Sequence, residues 1–243
     1  MFGRRLLCAC SLVACSATPG AAPPKAAPAQ AAQHEHGAHG MHKEHGAHGM
    51  HKDFSDAEAF STAFDDPARD AWQRPAEVIE HLRLEPGQLV VDLGAGTGYF
   101  VEALARAVGP SGQVLALDVE PKMVEFMQRR VHERKLPNVT PKLVAYDDPG
   151  LAPNSVARVL VVNTWHHIDA REAYAGKLAA ALAPEGEIWI VDFTLDADHG
   201  PPKEFRLAPE RVVGELQRGG LKAEVVTAEQ LPKQYLVRAW RDR

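Results

Sequence analysis

Cysteine is nearly missing from this 243-residue chain: Cys8, Cys10 and Cys15 are its only three, all within the first fifteen residues. The rest of the chain has no thiol for a disulfide scaffold, a zinc–thiolate site or covalent attack on a substrate. Long apolar runs are missing too. No stretch reaches the roughly 18 consecutive apolar residues of a spanning helix, so none is expected. An excess of basic charge is the third absence. The first 53 residues hold five of the 27 Lys/Arg and three of the 32 Asp/Glu. That leaves 22 basic against 29 acidic groups after them, a net of −7 where the whole chain has −5. This excludes the electrostatic footprint of a general DNA or RNA binder, and no nucleic-acid partner is expected. What remains is one acidic, cysteine-free domain of ordinary size behind an unusual N-terminal segment.

That segment has three parts. Met1–Arg5 carries two arginines, and Leu6–Ala14 is short, apolar and rich in small residues, the layout of an export signal. It ends in Leu12-Val13-Ala14-Cys15, which resembles the lipobox of bacterial lipoproteins. The resemblance implies removal of residues 1–14 and acylation of Cys15, which would hold the protein at a membrane surface. Ser16 then implies the cell envelope, at the periplasmic face of an outer membrane; a cytoplasmic protein with a chance apolar start is the alternative. Residues 15–53 read as a disordered linker. Ala17–Gln33 is Ala/Pro-rich, and EHGAHGMHK follows twice, at Glu35–Lys43 and Glu44–Lys52. The repeat sets His36, His39, His42, His45, His48 and His51 three residues apart, on one side of a polyproline-II ribbon. Imidazoles so placed suit Zn²⁺, Ni²⁺ or Cu²⁺; a solvated linker whose charge rises below about pH 6.5 is the plainer reading.

From residue 54 onward, apolar runs of strand length alternate with helical patterns. Strands are predicted at Gln88–Leu93, Gln113–Asp118, Thr140–Ala145, Val156–Asn163 and Glu187–Phe193, with a closing pair at Leu221–Thr227 and Tyr235–Arg241. Helices are predicted at Ala76–Leu84, Tyr99–Val108, Pro121–Lys135, Ala170–Ala183 and Pro209–Arg218. The expected fold is α/β: a Rossmann-like, doubly wound sheet of about seven strands, mostly parallel with one antiparallel strand near the C-terminus and helices on both faces. Ligands in such folds sit at the carboxyl ends of the strands, near the switch point.

The first strand runs into Asp92-Leu93-Gly94-Ala95-Gly96-Thr97-Gly98-Tyr99-Phe100. Alternating glycines let the backbone turn tightly and approach a ligand closely. A nicotinamide-dependent oxidoreductase would want its third glycine where Tyr99 stands. Asp118 ends the second strand, at the position of an acidic group that binds ribose hydroxyls. With VVDLGAGTGYF, ALDVEPKMV and LAPEGEIWIVDF, the chain resembles the class I methyltransferases that use S-adenosylmethionine (SAM), in particular the small-molecule group related to quinone biosynthesis. Glu185 departs from that family's Pro-Gly-Gly-type turn.

The resemblance implies a methyltransferase domain over 54–243, with lid helices in 54–85, acting on a small-molecule acceptor. It implies that Asp92 helps bind the donor's amino group, while Gly94, Ala95, Gly96 and Gly98 cradle its methionine portion. Asp118 would take the ribose hydroxyls, with Val119 and Met123 beside the adenine. Asp147 or Asp148 would face the adenine amino group, unless the pair only shapes the turn before Pro149. Asn163 and Thr164 would line the donor pocket. His166 or His167 would serve as a base for an acceptor hydroxyl, or would cap and pack the following helix. Trp72 or Phe64 would shield a sulfonium or anchor the lid. A second class of function stays open: a non-enzymatic envelope lipoprotein with a methyltransferase-like ligand domain and a metal-binding tract. It is motivated by the conflict between an export signal and a donor made in the cytosol.

Overall fold

A computed structural model describes residues 56–226 and 231–242. Its helices are α1 (Ala57–Phe64), α2 (Asp70–Gln73), α3 (Pro75–His81), α4 (Val101–Val108), α5 (Pro121–Glu133), α6 (Arg171–Ala181) and α7 (Pro209–Arg218). Its strands are β1 (Leu89–Leu93), β2 (Gln113–Asp118), β3 (Val139–Leu143), β4 (Val156–Val162), β5 (Leu182–Phe193), β6 (Lys222–Val226) and β7 (Gln234–Trp240). The signal segment, Cys15 and the six repeat histidines lie outside the described residues.

The strands form one seven-stranded sheet in the order β3-β2-β1-β4-β5-β7-β6. All neighbours are parallel except β7, which runs antiparallel to both β5 and β6. Alternation along each strand supplies two cores. Val159 and Val161 of β4, with Ile188 and Ile190 of β5, face α6 and α7 through Tyr174, Leu178, Val212 and Leu216. Leu160, Val162 and Val191 point the other way, onto Val78, Leu82, Leu104, Val108 and Met127 of α3, α4 and α5. A sheet buried on both faces needs apolar residues at successive positions, which is why its central strands read as unbroken runs.

Helix ends follow local chemistry. In α4, Val101, Leu104, Ala105 and Val108 are buried on one stripe, and the helix stops at Gly109, followed by Pro110. In α5, Glu120 caps the first turn through the Lys122 N–H and Pro121 takes the first helical position. The structure differs from the sequence expectation at Pro184-Glu185-Gly186. The expected turn is absorbed into β5, where pairing with β4 jumps from Val156↔Leu182 to Arg158↔Glu187. The extra residues bulge out, because β4 runs straight past them. The stretch 54–85 also divides. Val78 and Leu82 are fully buried in the core, whereas Ala63, Phe64, Arg69 and Trp72 lie over a cavity at the carboxyl ends of β1 and β4. Among the described residues no helix is long and apolar enough to cross a membrane.

Candidate active site

The strand order reverses between β1 and β4, and the crevice there holds a cavity of about 650 Å³. This falls within the roughly 300–1,000 Å³ of small-molecule and cofactor sites. Its first wall is the loop after β1. Gly94 has φ +72°, and a Cβ there would sit 2.3 Å from the Thr164 side chain. Backbone conformation and close approach therefore both demand glycine. The Gly96 N–H donates to Asp118 Oδ2 at 2.8 Å, and the Glu120 N–H donates to Oδ1 at 2.9 Å. These bonds fix the carboxylate at the end of β2. Burial raises the Asp118 pKa, and the backbone N–H groups of Glu120 and Gly96 pull against that shift.

Asp92 lies deeper. It is buried, and its Oδ2 has no hydrogen-bond partner. Burial first, and the nearby Asp118 second, push its carboxyl up to about 7, with Arg69 pulling the other way. An orphaned carboxylate oxygen on a cavity wall is costly until a cation or donor reaches it. The group the sequence implies has an ammonium, ribose hydroxyls and an apolar chain. The orphaned Asp92, the fixed Asp118 and the glycine-rich loop fit it.

Most of the sequence-predicted positions meet here. Asp92, Gly94, Ala95, Gly96, Asp118, Val119, Met123, Asn163, Thr164, His166 and His167 all lie on the cavity wall. Gly98, Asp147 and Asp148 do not. A Cβ on Gly98 would press on Val101 at 3.2 Å and Met127 at 3.4 Å, so that glycine serves helix packing. The Asp147 and Asp148 side chains are 85% and 56% exposed and lie 3.9 and 3.8 Å from Lys177 Nζ. Asp148 also accepts the Gly150 N–H at 2.8 Å, as a turn aspartate does. Their neighbour Tyr146 occupies the wall instead.

Three polar arrangements tie the segment from α1 to α2 down. Arg130 on α5 donates to Asp65 at 2.9 Å and to the Thr97 carbonyl at 2.8 Å, joining the end of α1 to the glycine loop. Arg69 donates to the Phe64 carbonyl at 2.8 Å and to Gln73 at 3.0 Å, and stacks 4.0 Å above the Tyr99 ring, whose hydroxyl bonds Asp70. Burial lowers the Arg69 pKa, opposed by Tyr99 and the surrounding aspartates. Finally, Gln73 donates to Gln234 at 2.7 Å, Gln234 to Asn163 at 2.6 Å, and Asn163 back to Gln73 at 3.3 Å. This closed amide ring holds Asn163 at φ +53°, a left-handed conformation that asparagine tolerates better than most residues.

Opposite the glycine loop the wall changes character. His166 Nδ1 lies 2.9 and 2.8 Å from the two oxygens of Asp192, and both side chains are 3% exposed. A carboxylate only accepts, so Nδ1 carries a proton, and in the neutral ring the lone pair is on Nε2. His167 stacks on His166 with ring centroids 4.2 Å apart. Trp72, Phe193 and His199 complete this side: Trp72 is 5.6 Å from Phe193 and 4.5 Å from His199 between centroids. Trp72 thus belongs to this side, while Phe64 lies against Gly96, 3.6 Å from where its Cβ would be.

Sequence reasoning left Asp192 unassigned and missed Arg69, Tyr146 and His199. Arg69 had a readable signal, one of only two arginines among the aromatic and acidic residues of 54–75. His199 had none, because what recruits it is the path of the chain after β5. Among the described residues no group of three or more His, Cys, Asp or Glu is placed to hold a metal ion.

Residues 90–186 match the model of a methyltransferase domain family. An uncharacterised methyltransferase of Mycobacterium tuberculosis is 32% identical over 131 residues, 54% of this chain and 50% of that protein. A ubiquinone/menaquinone biosynthesis C-methyltransferase of Burkholderia vietnamiensis is 28% identical over 129 residues, 51% of this chain and 50% of that protein. The chain spans about half the length of these curated relatives. Among solved structures, a SAM-dependent methyltransferase from Aquifex aeolicus superimposes with a TM-score of 0.70 at 26% identity, covering 77% of this chain and 98% of that one. The described body therefore has the Rossmann-like methyltransferase fold, and its segment 90–186 matches the methyltransferase domain.

Proposed function

We propose that this protein is a SAM-dependent methyltransferase that transfers a methyl group to a hydroxyl of a small-molecule acceptor. The observation that carries the donor half is Asp92 Oδ2, buried on the cavity wall without a partner and beside the backbone-fixed Asp118. Asp92 would bind the donor's amino group, Asp118 its ribose hydroxyls, and the loop from Gly94 to Gly96 its methionine chain. Arg69 is a half-buried cation on the same wall, suited to the donor's carboxylate.

When bound, the donor supplies a methyl group activated by a sulfonium. The protein's part is to position the acceptor and take its proton. His166 Nε2 would accept the proton of the acceptor hydroxyl as that oxygen takes the methyl group the donor supplies. Asp192 then stabilises the imidazolium and keeps the ring oriented. Calorimetric titration of the full chain with the demethylated donor product tests this reading. Micromolar binding is expected, and no binding would sink it.

The proposal extends to location. Leu12–Cys15 supports lipidation of Cys15 and an envelope address, and the histidine tract supports loose binding of Zn²⁺, Ni²⁺ or Cu²⁺. Fractionation with a labelled fatty acid tests the anchor, and an unlabelled protein confined to the cytosol would contradict it.

A further inference from the structure

The Arg206 side chain braces the loop from Thr194 to Arg206. The Arg206 guanidinium donates to the carbonyls of Ala197 at 2.6 Å, Pro201 at 2.9 Å and His199 at 3.1 Å, with longer contacts to Leu195 and Thr194. Gly200, at φ +102°, lies so close to Phe193 that a Cβ would meet its ring at 2.8 Å. The loop is thereby pressed onto the end of β5. Its purpose is visible at His199. Nδ1 lies 2.7 Å from Asp198 Oδ1, and Asp198 is held in turn by Lys233 at 2.8 Å. In the neutral ring, Nδ1 bound to a carboxylate leaves the lone pair on Nε2, and this buried atom has no hydrogen-bond partner. The imidazole stands on the cavity wall against Trp72 and Phe193.

We infer that His199 determines acceptor specificity: the acceptor is a flat aromatic ring packed against Trp72 and Phe193, with a second hydroxyl donating to His199 Nε2. This rests on the proposed function and deepens it. The ring is called for by the two aromatic walls, which favour a π-face over an aliphatic chain. The second hydroxyl is called for by the unpaired nitrogen. A site built to accept a hydrogen bond discriminates strongly against the analogue lacking it, because its own buried atom is then left unpaired. His166 and His199 repeat one design, an aspartate on Nδ1 of a ring that lines the cavity. His166 would act on the hydroxyl that is methylated, and His199 on the one that is kept.

The test measures binding of the three benzenediols and of phenol to the full chain saturated with the demethylated donor product. At least one diol is expected to bind ten-fold or more tighter than phenol. In His199→Phe, which keeps the ring and loses the acceptor nitrogen, that preference should fall below two-fold. His199→Gln, whose amide oxygen still accepts, should keep part of it. Affinity for the donor product is expected to be unchanged in both variants. A diol preference that survives in His199→Phe, or no diol preference in the wild type, would overturn the inference. Failure of the donor product to bind the wild type would instead overturn the proposed function.

Discussion

The two walls of the cavity are made differently. The donor wall comes largely from contiguous chain: β1 runs into the glycine loop, and the Gly96 N–H reaches across to Asp118 at the next strand end. It is backbone, glycine and two carboxylates, with Arg69 added from the segment between α1 and α2. The wall proposed for the acceptor is assembled from four separate places: α2 with Trp72, the end of β4 with His166, the end of β5 with Phe193, and the loop with His199, with Asp192 behind His166. Backbone geometry binds a constant group, whereas side chains gathered from distant segments can be exchanged without disturbing the sheet. One fold can then keep its donor while its acceptors diversify.

The comparison breaks most sharply at the acceptor wall. His166→Asn should lower the rate of methyl transfer to the benzenediol that binds by about 10²–10⁴-fold, as loss of a general base does. Asp192→Asn should approach that loss and shift the pH–rate profile, because it removes the charge that stabilises the imidazolium. Affinity for the donor product should stay within two-fold in both. A parallel loss of donor binding would show that the two walls are not separable.

Smaller effects are expected at the donor wall. Asp118→Ala should weaken binding of the donor product by roughly 10–100-fold, since hydrogen bonds to a charged group contribute about 1.5–3 kcal/mol. Unchanged affinity would remove Asp118 from the site.

Asp92 adds a pH dependence. Its folded pKa of about 7 lies above the unfolded value near 3.9, so between them the folded state holds a proton that the unfolded state has released. Stability of the unliganded domain from this group is therefore greatest below about pH 4, falls as pH rises towards 7, and is flat above. A donor ammonium binds the ionised form, so affinity should rise several-fold from pH 6 to 7.5. In Asp92→Asn both slopes should flatten, as read by thermal melting and calorimetry across that range. A wild-type affinity independent of pH would contradict the assignment of Asp92.

The smallest effect is predicted for Asp147→Ala. The side chain is 85% exposed and off the cavity wall, so donor-product affinity should move by less than two-fold. A ten-fold loss would return that carboxylate to the donor site.

What could be read from the sequence follows the same division. The succession of strands along the chain was legible because apolar runs buried on two faces have a recognisable length, and prolines and glycines mark their ends. Asp92, Gly94 and Asp118 were legible because their chemistry lies within one strand–loop–helix–strand unit. Gly98 was read as part of that unit, yet only packing shows that it makes room for Val101 and Met127. The bulge at 184–186 was missed because a Pro-Glu-Gly turn inside a strand is a property of the neighbouring β4. His166 was visible, but its partner lies 26 residues away, and no local spacing pairs them. His199 was invisible for the stronger reason that Arg206 and Gly200 place it.

The most direct measurement is calorimetric titration of the demethylated donor product into the wild type, His166→Asn and Asp118→Ala, all as full-length chains. A cavity with separable walls predicts equal affinity for the first two and a loss of roughly ten-fold or more for the third. No binding to the wild type, or a loss in His166→Asn as large as that in Asp118→Ala, would contradict it.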